Sequence, residues 1–278
     1  MIESIQRDFT LNTPGMECYT TLKQTVEHYK QGLFVIEGDK VVQRFLDSPF
    51  TLVSVLFTDK WFDHFREQLE SRPEPITAYV GEIEQLADIV GYNYHHGVMA
   101  VGKLPPQLTL AQATAPTPKP KLFVALDKLD NAENVGVLVR NCAACGVDAL
   151  IVGETSADPY LRRSVRNSMG TVFKLGIVRT DSLQQTLQQL KNDHGFMVVA
   201  AHPRITSISL YETTMLQNTC IVFGSEGDGV SQGILDVCNT VVTIPMAAGV
   251  DSFNVACASA IMLYEVNRQR AGSNSQIK

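Results

Sequence analysis

Residues 222–231, VFGSEGDGVS, and residues 244–265, IPMAAGVDSFNVACASAIMLYE, decide the reading of this chain. In each, an apolar, strand-like run stops at glycine and polar residues. TCIVF (219–223) runs into Gly224, Gly227 and Gly229, and VVTIPM (241–246) runs into a loop where Asp251 or Ser252 is placed to cap a long helix toward Arg268. A third turn, LDKLDNAENVGVLVRNCAACG (126–146), follows LFVAL and sets Asn134, Gly136 and Arg140 within about two helical turns. Binding sites in open α/β sheets lie at the carboxyl ends of strands, so three such loops can converge on one pocket.

Working outward, ALIVG, FKLGIV, LQQTLQQLK and MVVAA fill the intervals with alternating strand-like and helix-like runs. With LFVAL, CIVFG and VVTIP they predict an α/β fold built on a doubly wound parallel sheet. Upstream, LFVIEGDKVVQRFL, FTLVSVLFT, WFDHFREQLESR, ITAYV, EIEQLADIVG and HHGVMAVGK alternate in the same way and suggest a smaller α/β unit. Between the two halves, PPQLTLAQATAPTPKP carries five of the twelve prolines and no persistent pattern. The expected organisation is a small domain over 1–104, a Pro-rich linker over 105–120 and a larger domain over 121–278.

The chain has 278 residues, 45% of them hydrophobic, enough for one large core or two modest ones. No apolar run approaches the roughly 18 residues of a membrane span. The segment MIESIQRDFT has no signal-peptide core, so a cytosolic protein with no membrane association is expected. Six cysteines at irregular positions read as small buried hydrophobes in a reducing compartment. Cys142 and Cys145 have no second pair and no spaced histidine, which points to packing and to no metal. His95 and His96 fall in a strand-like run with no metal-ligand pattern around them; a structural or RNA-contacting role suits them better.

Net charge is −6, so bulk attraction to a polyanion is not predicted. Arg162, Arg163, Arg166 and Lys174 cluster without an acid between them, as a phosphate-contacting patch or, the reading composition favours, a solvated helix face. GSEGDG is neither a dinucleotide GxGxxG nor a P-loop. Glu226 would repel a phosphate there, whereas a carboxylate beside a sulfonium or a ribose hydroxyl is sensible. Arg140 sits in a run whose apolar residues 135, 138, 139 and 142 define a packed surface, so it lies at that surface's edge, snorkels to solvent or meets an anion.

Together these three segments resemble the three motifs of the SpoU/TrmH branch of the SPOUT RNA methyltransferases. Asn134, Gly136 and Arg140 match the first; Gly224, Glu226 and Gly229 match the second. Ile244, Pro245 and Met246, then Ser252, Phe253, Asn254 and Val255, match the third, with Phe253 where leucine is usual and Ala256 where serine is common. The resemblance runs from Leu122 to about Arg268. It implies a trefoil knot in the C-terminal domain, a homodimer, and S-adenosylmethionine held by Gly224, Gly229, Ile244, Met246 and Phe253. It also implies catalysis by Arg140, Asn134, Glu226, Ser252 and Asn254 on a ribose 2′-hydroxyl of rRNA or tRNA. The first domain resembles the family's RNA-binding extension. The alternatives are a catalytically silent RNA-binding protein of this fold and a nucleotide-dependent oxidoreductase; the missing GxGxxG after the first strand disfavours the latter.

Overall fold

The computed structural model describes residues 2–203 and 207–274. Contacts divide the chain into two units, Met1–Pro106 with Tyr160–Phe173, and Gln107–Pro159 with Lys174–Lys278.

The first unit runs β1 (Ile2–Gln6), α1 (Glu17–Thr20), α2 (Thr25–Lys30), β2 (Leu33–Glu37), α3 (Asp39–Leu46), β3 (Leu52–Phe57), α4 (Asp59–Ser71), β4 (Ile76–Val80), α5 (Ile83–Val90) and β5 (Val98–Lys103). Its sheet has the order β1-β4-β3-β5-β2, parallel from β1 through β3 and antiparallel at β5. His95 and His96 lie in the exposed loop before β5 and not in a strand. Gly91 and Gly97 bracket that loop with positive φ, a conformation that ends regular pairing.

In the second half the order is α6 (Leu110–Ala113), β6 (Leu122–Leu126), α7 (Ala132–Ala144), β7 (Ala149–Val152), α8 (Arg162–Asn167), β8 (Gly176–Arg179), α9 (Leu183–His194), β9 (Met197–Ala201), β10 (Ile208–Ser209), β11 (Thr219–Phe223), α10 (Gln232–Leu235), β12 (Thr240–Thr243) and α11 (Val255–Asn274). Seven strands form one wholly parallel sheet, β10-β12-β9-β11-β6-β7-β8. LFVAL and TCIVF are buried at every position as its adjacent β6 and β11, as continuous apolar runs in a parallel sheet require. Helix α9 shows why these sequences fold locally. Ser182 caps it through Gln185 N–H, Leu183, Leu187 and Leu190 are buried along one face, and Gly195 closes it in the left-handed region. Such a cap contributes about 1 kcal/mol and each buried leucine about 2 kcal/mol.

Two segments depart from the sequence division. From Gln107 onward the Pro-rich stretch packs with the second unit: Thr109 and Gln112 form a capping box, Ala113 is buried, and Leu108 and Leu110 lie against the core. Tyr160–Phe173, which carries α8, belongs by its contacts to the first unit. There Tyr160 and Phe173 join Phe34, Phe45 and Phe50 in an aromatic cluster. The Glu37 carboxylate, only 1% exposed, accepts from Arg162 at 2.7 Å, from Arg166 at 3.3 Å and from the Tyr92 hydroxyl at 3.0 Å. Two of the clustered arginines therefore serve a buried ion pair, and α8 is no simple solvated face. Burial, then the Glu37 charge, push the Tyr92 hydroxyl up to about 12, which keeps it a donor.

Candidate active site

The chain leaves β11 at Phe223 and turns back within seven residues. Ser225 and Gly229 exchange both backbone hydrogen bonds at 3.1 Å, and the Ser225 hydroxyl accepts Asp228 N–H. Two glycines make this closure possible. A Cβ on Gly224 would lie 2.1 Å from the Gly229 carbonyl carbon; one on Gly229, whose φ is +69°, would lie 2.4 Å from the His202 ring. The loop is thus closed by backbone on one side and by an imidazole on the other.

After β12 the chain runs through 244–254 into α11. The residue that caps α11 is Asn254, neither Asp251 nor Ser252: its Oδ1 accepts Ala256 N–H at 2.9 Å, and its carbonyl accepts Ala258 N–H. A side-chain amide suits this position because its other end is also used. Asn254 Nδ2 donates to Asn134 Oδ1 at 3.2 Å and to Glu226 Oε1 at 3.3 Å, and Asn134 Nδ2 donates to the same Glu226 oxygen. Asn134 is itself placed by Asn131, whose side chain caps α7 through Glu133 and Asn134 N–H. Two asparagines, one in the first turn of α7 and one at the start of α11, thus meet on the Glu226 carboxylate of the loop after β11.

These loops enclose a cavity of about 550 Å³ at the carboxyl ends of β9, β11 and β12. Gly224, Gly229, Ile244, Met246 and Phe253 all line it, as do Glu226, Ser252 and Asn254. Asn134 reaches it through the shared carboxylate. Arg140 does not line it. It projects from the exposed face of α7, opposite buried Val135, Leu138, Val139 and Cys142, and makes no hydrogen bond or ion pair among the described residues. Burial holds the Cys142 thiol well above its ordinary range, consistent with packing and not with reactivity.

The wall has two chemistries. Ile244, Met246, Phe253 and Val255 give an apolar side, while Glu226, Asp228 and Asp251 give carboxylates, and among the described residues that line the cavity there is no lysine or arginine. Sequence reasoning missed His202, Asp127 and Asn141. His202 directly follows β9, so the rule that sites lie at carboxyl ends of strands applies to it as well. Asn141, on α7, donates to the Ala256 carbonyl at 2.7 Å and to Ser259 Oγ at 2.9 Å and fastens α7 to α11. Among the described residues, no group of three His, Cys, Asp or Glu is placed to hold a metal ion, and no helix is long and apolar enough to cross a membrane.

The parallel sheet and the three-loop pocket define an α/β protein that takes a small ligand at the carboxyl edge of its strands. Residues 121–264 match the model of the SpoU rRNA Methylase family, and the chain belongs to that family of RNA methyltransferases. It is 32% identical over 245 residues to an uncharacterized tRNA/rRNA methyltransferase of Mycobacterium bovis, covering 87% of this chain and 82% of the relative. It is likewise 32% identical over 186 residues to the 23S rRNA (guanosine-2′-O-)-methyltransferase RlmB of Vibrio vulnificus, covering 64% of this chain and 72% of that one. In fold it is similar to the SpoU methyltransferase AviRb of Streptomyces viridochromogenes, whose structure was solved in complex with the cofactor AdoMet; the TM-score is 0.79 at 24% identity, over 92% of this chain and 98% of AviRb.

Proposed function

We propose that this protein transfers the methyl group of S-adenosylmethionine to a ribose 2′-hydroxyl of rRNA or tRNA. The observation that carries the reading is the Asn134–Glu226–Asn254 joint, which ties the first motif to the two motif loops that line the pocket. The residues present fit the donor. About 550 Å³ is within the range of small-molecule sites, the apolar side suits an adenine, and the carboxylates suit a cation. When bound, S-adenosylmethionine would supply an electrophilic methyl group to the ribose oxygen, its sulfonium sulfur leaving as the thioether of S-adenosylhomocysteine and the hydroxyl proton passing to solvent.

The chain's own residues have to orient a poor nucleophile and offset the charge that develops on it. Glu226 and Asn254 spend their side chains on one another and on Asn134, so their task is to hold the loops in register. Ser252, exposed at the pocket wall, is assigned the positioning of the hydroxyl. Arginine stays protonated in proteins, so Arg140 is assigned anchoring of an RNA phosphate and stabilisation of the alkoxide, not proton abstraction. Its position off the pocket wall supports a homodimer in which a second copy completes the RNA site. The return of the chain from β12 to α11, fastened on α7, supports a trefoil knot in the 244–274 run. The first unit is assigned RNA binding, and the compartment the cytosol.

The choice of ribose is supported by the shared motifs and by the RlmB relative. The test replaces the target nucleotide with its 2′-deoxy analogue, which removes the nucleophile and leaves bases and phosphates in place. Binding should persist and methyl transfer should stop. Continued transfer, or added mass on the base fragment of the digested nucleoside, would overturn the reaction; donor binding with no transfer to any rRNA or tRNA would favour the silent RNA-binding protein.

A further inference from the structure

We propose that Asp127 is the positioning residue that sets the shape of the 224–230 loop and, through it, the affinity of the pocket for the methyl donor; the second half of this inference rests on the donor reading above. Asp127 follows the last residue of β6 and is buried, with 5% of its surface exposed. Its N–H donates to the carbonyl of Phe223 at 2.9 Å, the residue that enters the loop. Its Oδ2 accepts the N–H of Ser231 at 2.6 Å, the residue that leaves it. One residue just past the end of the neighbouring strand thus grips both ends of the loop that carries Gly224, Glu226 and Gly229.

A carboxylate is costly to bury, and an apolar residue at the end of a core strand would pack without that cost. Its presence is explained by what it holds. A charge-assisted bond to a backbone N–H is shorter and stronger than a neutral one, and it acts at the hinge of the loop and not at the ligand. Asp127 does not line the cavity, so it acts through the backbone that does. The far side of the loop is fixed separately by Asn134 and Asn254 on Glu226. Between these two anchors the Ser225–Gly229 closure has one geometry, and the pocket wall is preorganised before any ligand arrives.

Two independent variants of the full chain remove the same bond. Asp127→Ala deletes the acceptor. Ser231→Pro deletes the donor, at a residue whose φ of −66° is already the value a proline ring imposes. Asp127→Asn serves as a partial rescue. Amide hydrogen exchange over 224–230 should be at least tenfold faster in Asp127→Ala and in Ser231→Pro, with β6 and β11 still protected, and intermediate in Asp127→Asn, which keeps an acceptor oxygen but not its charge. Titration with S-adenosylmethionine should show about tenfold weaker binding in both single variants, no further loss when they are combined, and unchanged affinity for RNA. Unaltered loop exchange in both single variants, or effects that add when combined, would overturn the proposal. If the loop loosens as stated while the wild type gives no heat with the donor, the loop assignment stands and the donor reading falls.

Discussion

Arg140 is a motif residue that stands exposed and outside the pocket lining. It stands on the exposed face of α7, with no ion pair or hydrogen bond among the described residues. A group so placed adds little to folding, so its removal separates chemistry from stability. Arg140→Ala should keep the wild-type melting temperature and donor affinity while losing about a hundredfold or more in methyl transfer, the scale of a lost transition-state charge stabiliser. Arg140→Lys should recover only part, since an ammonium does not reproduce the planar fork. Near-wild-type turnover in the alanine variant would remove Arg140 from the mechanism. His28 makes a different residue-level case. It is buried and its Nε2 lies 2.7 Å from Thr21 Oγ1; burial holds its pKa below the usual histidine value. The unfolded chain then binds the extra proton first, so this group's contribution to stability is present above about pH 6.5 and is lost as pH falls from there toward the lower folded value. Thermal melts from pH 7.5 to 5.5 should fall less steeply in His28→Gln than in wild type; equal slopes would show that His28 does not titrate on unfolding.

At the scale of elements, the site is a set of strand ends tied together by side-chain amides and by close backbone approach. Gly229 shows how little freedom the second loop has, since its Cβ would meet the His202 ring and its φ is positive. Gly229→Ala should leave the sheet intact, weaken donor binding by about tenfold or more and cost roughly 1–3 kcal/mol of stability. Circular dichroism alongside calorimetry with the donor checks it: unchanged affinity would mean the loop tolerates a side chain and that His202 moves aside. The strands and the convergence of the loops were legible in the sequence because central parallel strands are continuous apolar runs and their glycine-rich stops mark the carboxyl edge. The cap of α11 was misplaced because Asp, Ser and Asn all suit an N-cap locally, and only the tertiary partners Asn134 and Glu226 single out Asn254. Asp127 could not be read at all. Its partner Ser231 is 104 positions away, and nothing local distinguishes a carboxylate that holds a loop from one in water.

For the whole molecule, the division by contacts differs from the division at the prolines, and that difference has a measurable consequence. Sequence patterning places Tyr160–Phe173 with the flanking strands β7 and β8, because the chain passes through it on the way from one to the other. Its side chains have other partners: Tyr160 and Phe173 lie in the aromatic cluster with Phe34, Phe45 and Phe50, and Arg162 and Arg166 satisfy the buried carboxylate of Glu37. No short-range pattern reveals this, since a run of arginines followed by a few apolar residues looks the same whether it is solvated or packed. A fragment beginning at Gln107 keeps the whole seven-stranded sheet, and with it Leu108, Leu110 and Ala113 of the Pro-rich stretch, which a fragment beginning at Lys121 would strip from the core. Either fragment, however, leaves Tyr160 and Phe173 without their aromatic partners. The fragment from Gln107 should therefore fold and bind donor, since the pocket is complete within it, but should bind a hydrophobic dye, melt below the full chain and lose most RNA affinity. Replacing Tyr160 and Phe173 by serine in that fragment should abolish dye binding without touching donor affinity. A fragment as stable as the full chain, dye-free and with full RNA affinity would show that the 160–173 segment needs nothing from the first unit and that RNA binding resides entirely in the second.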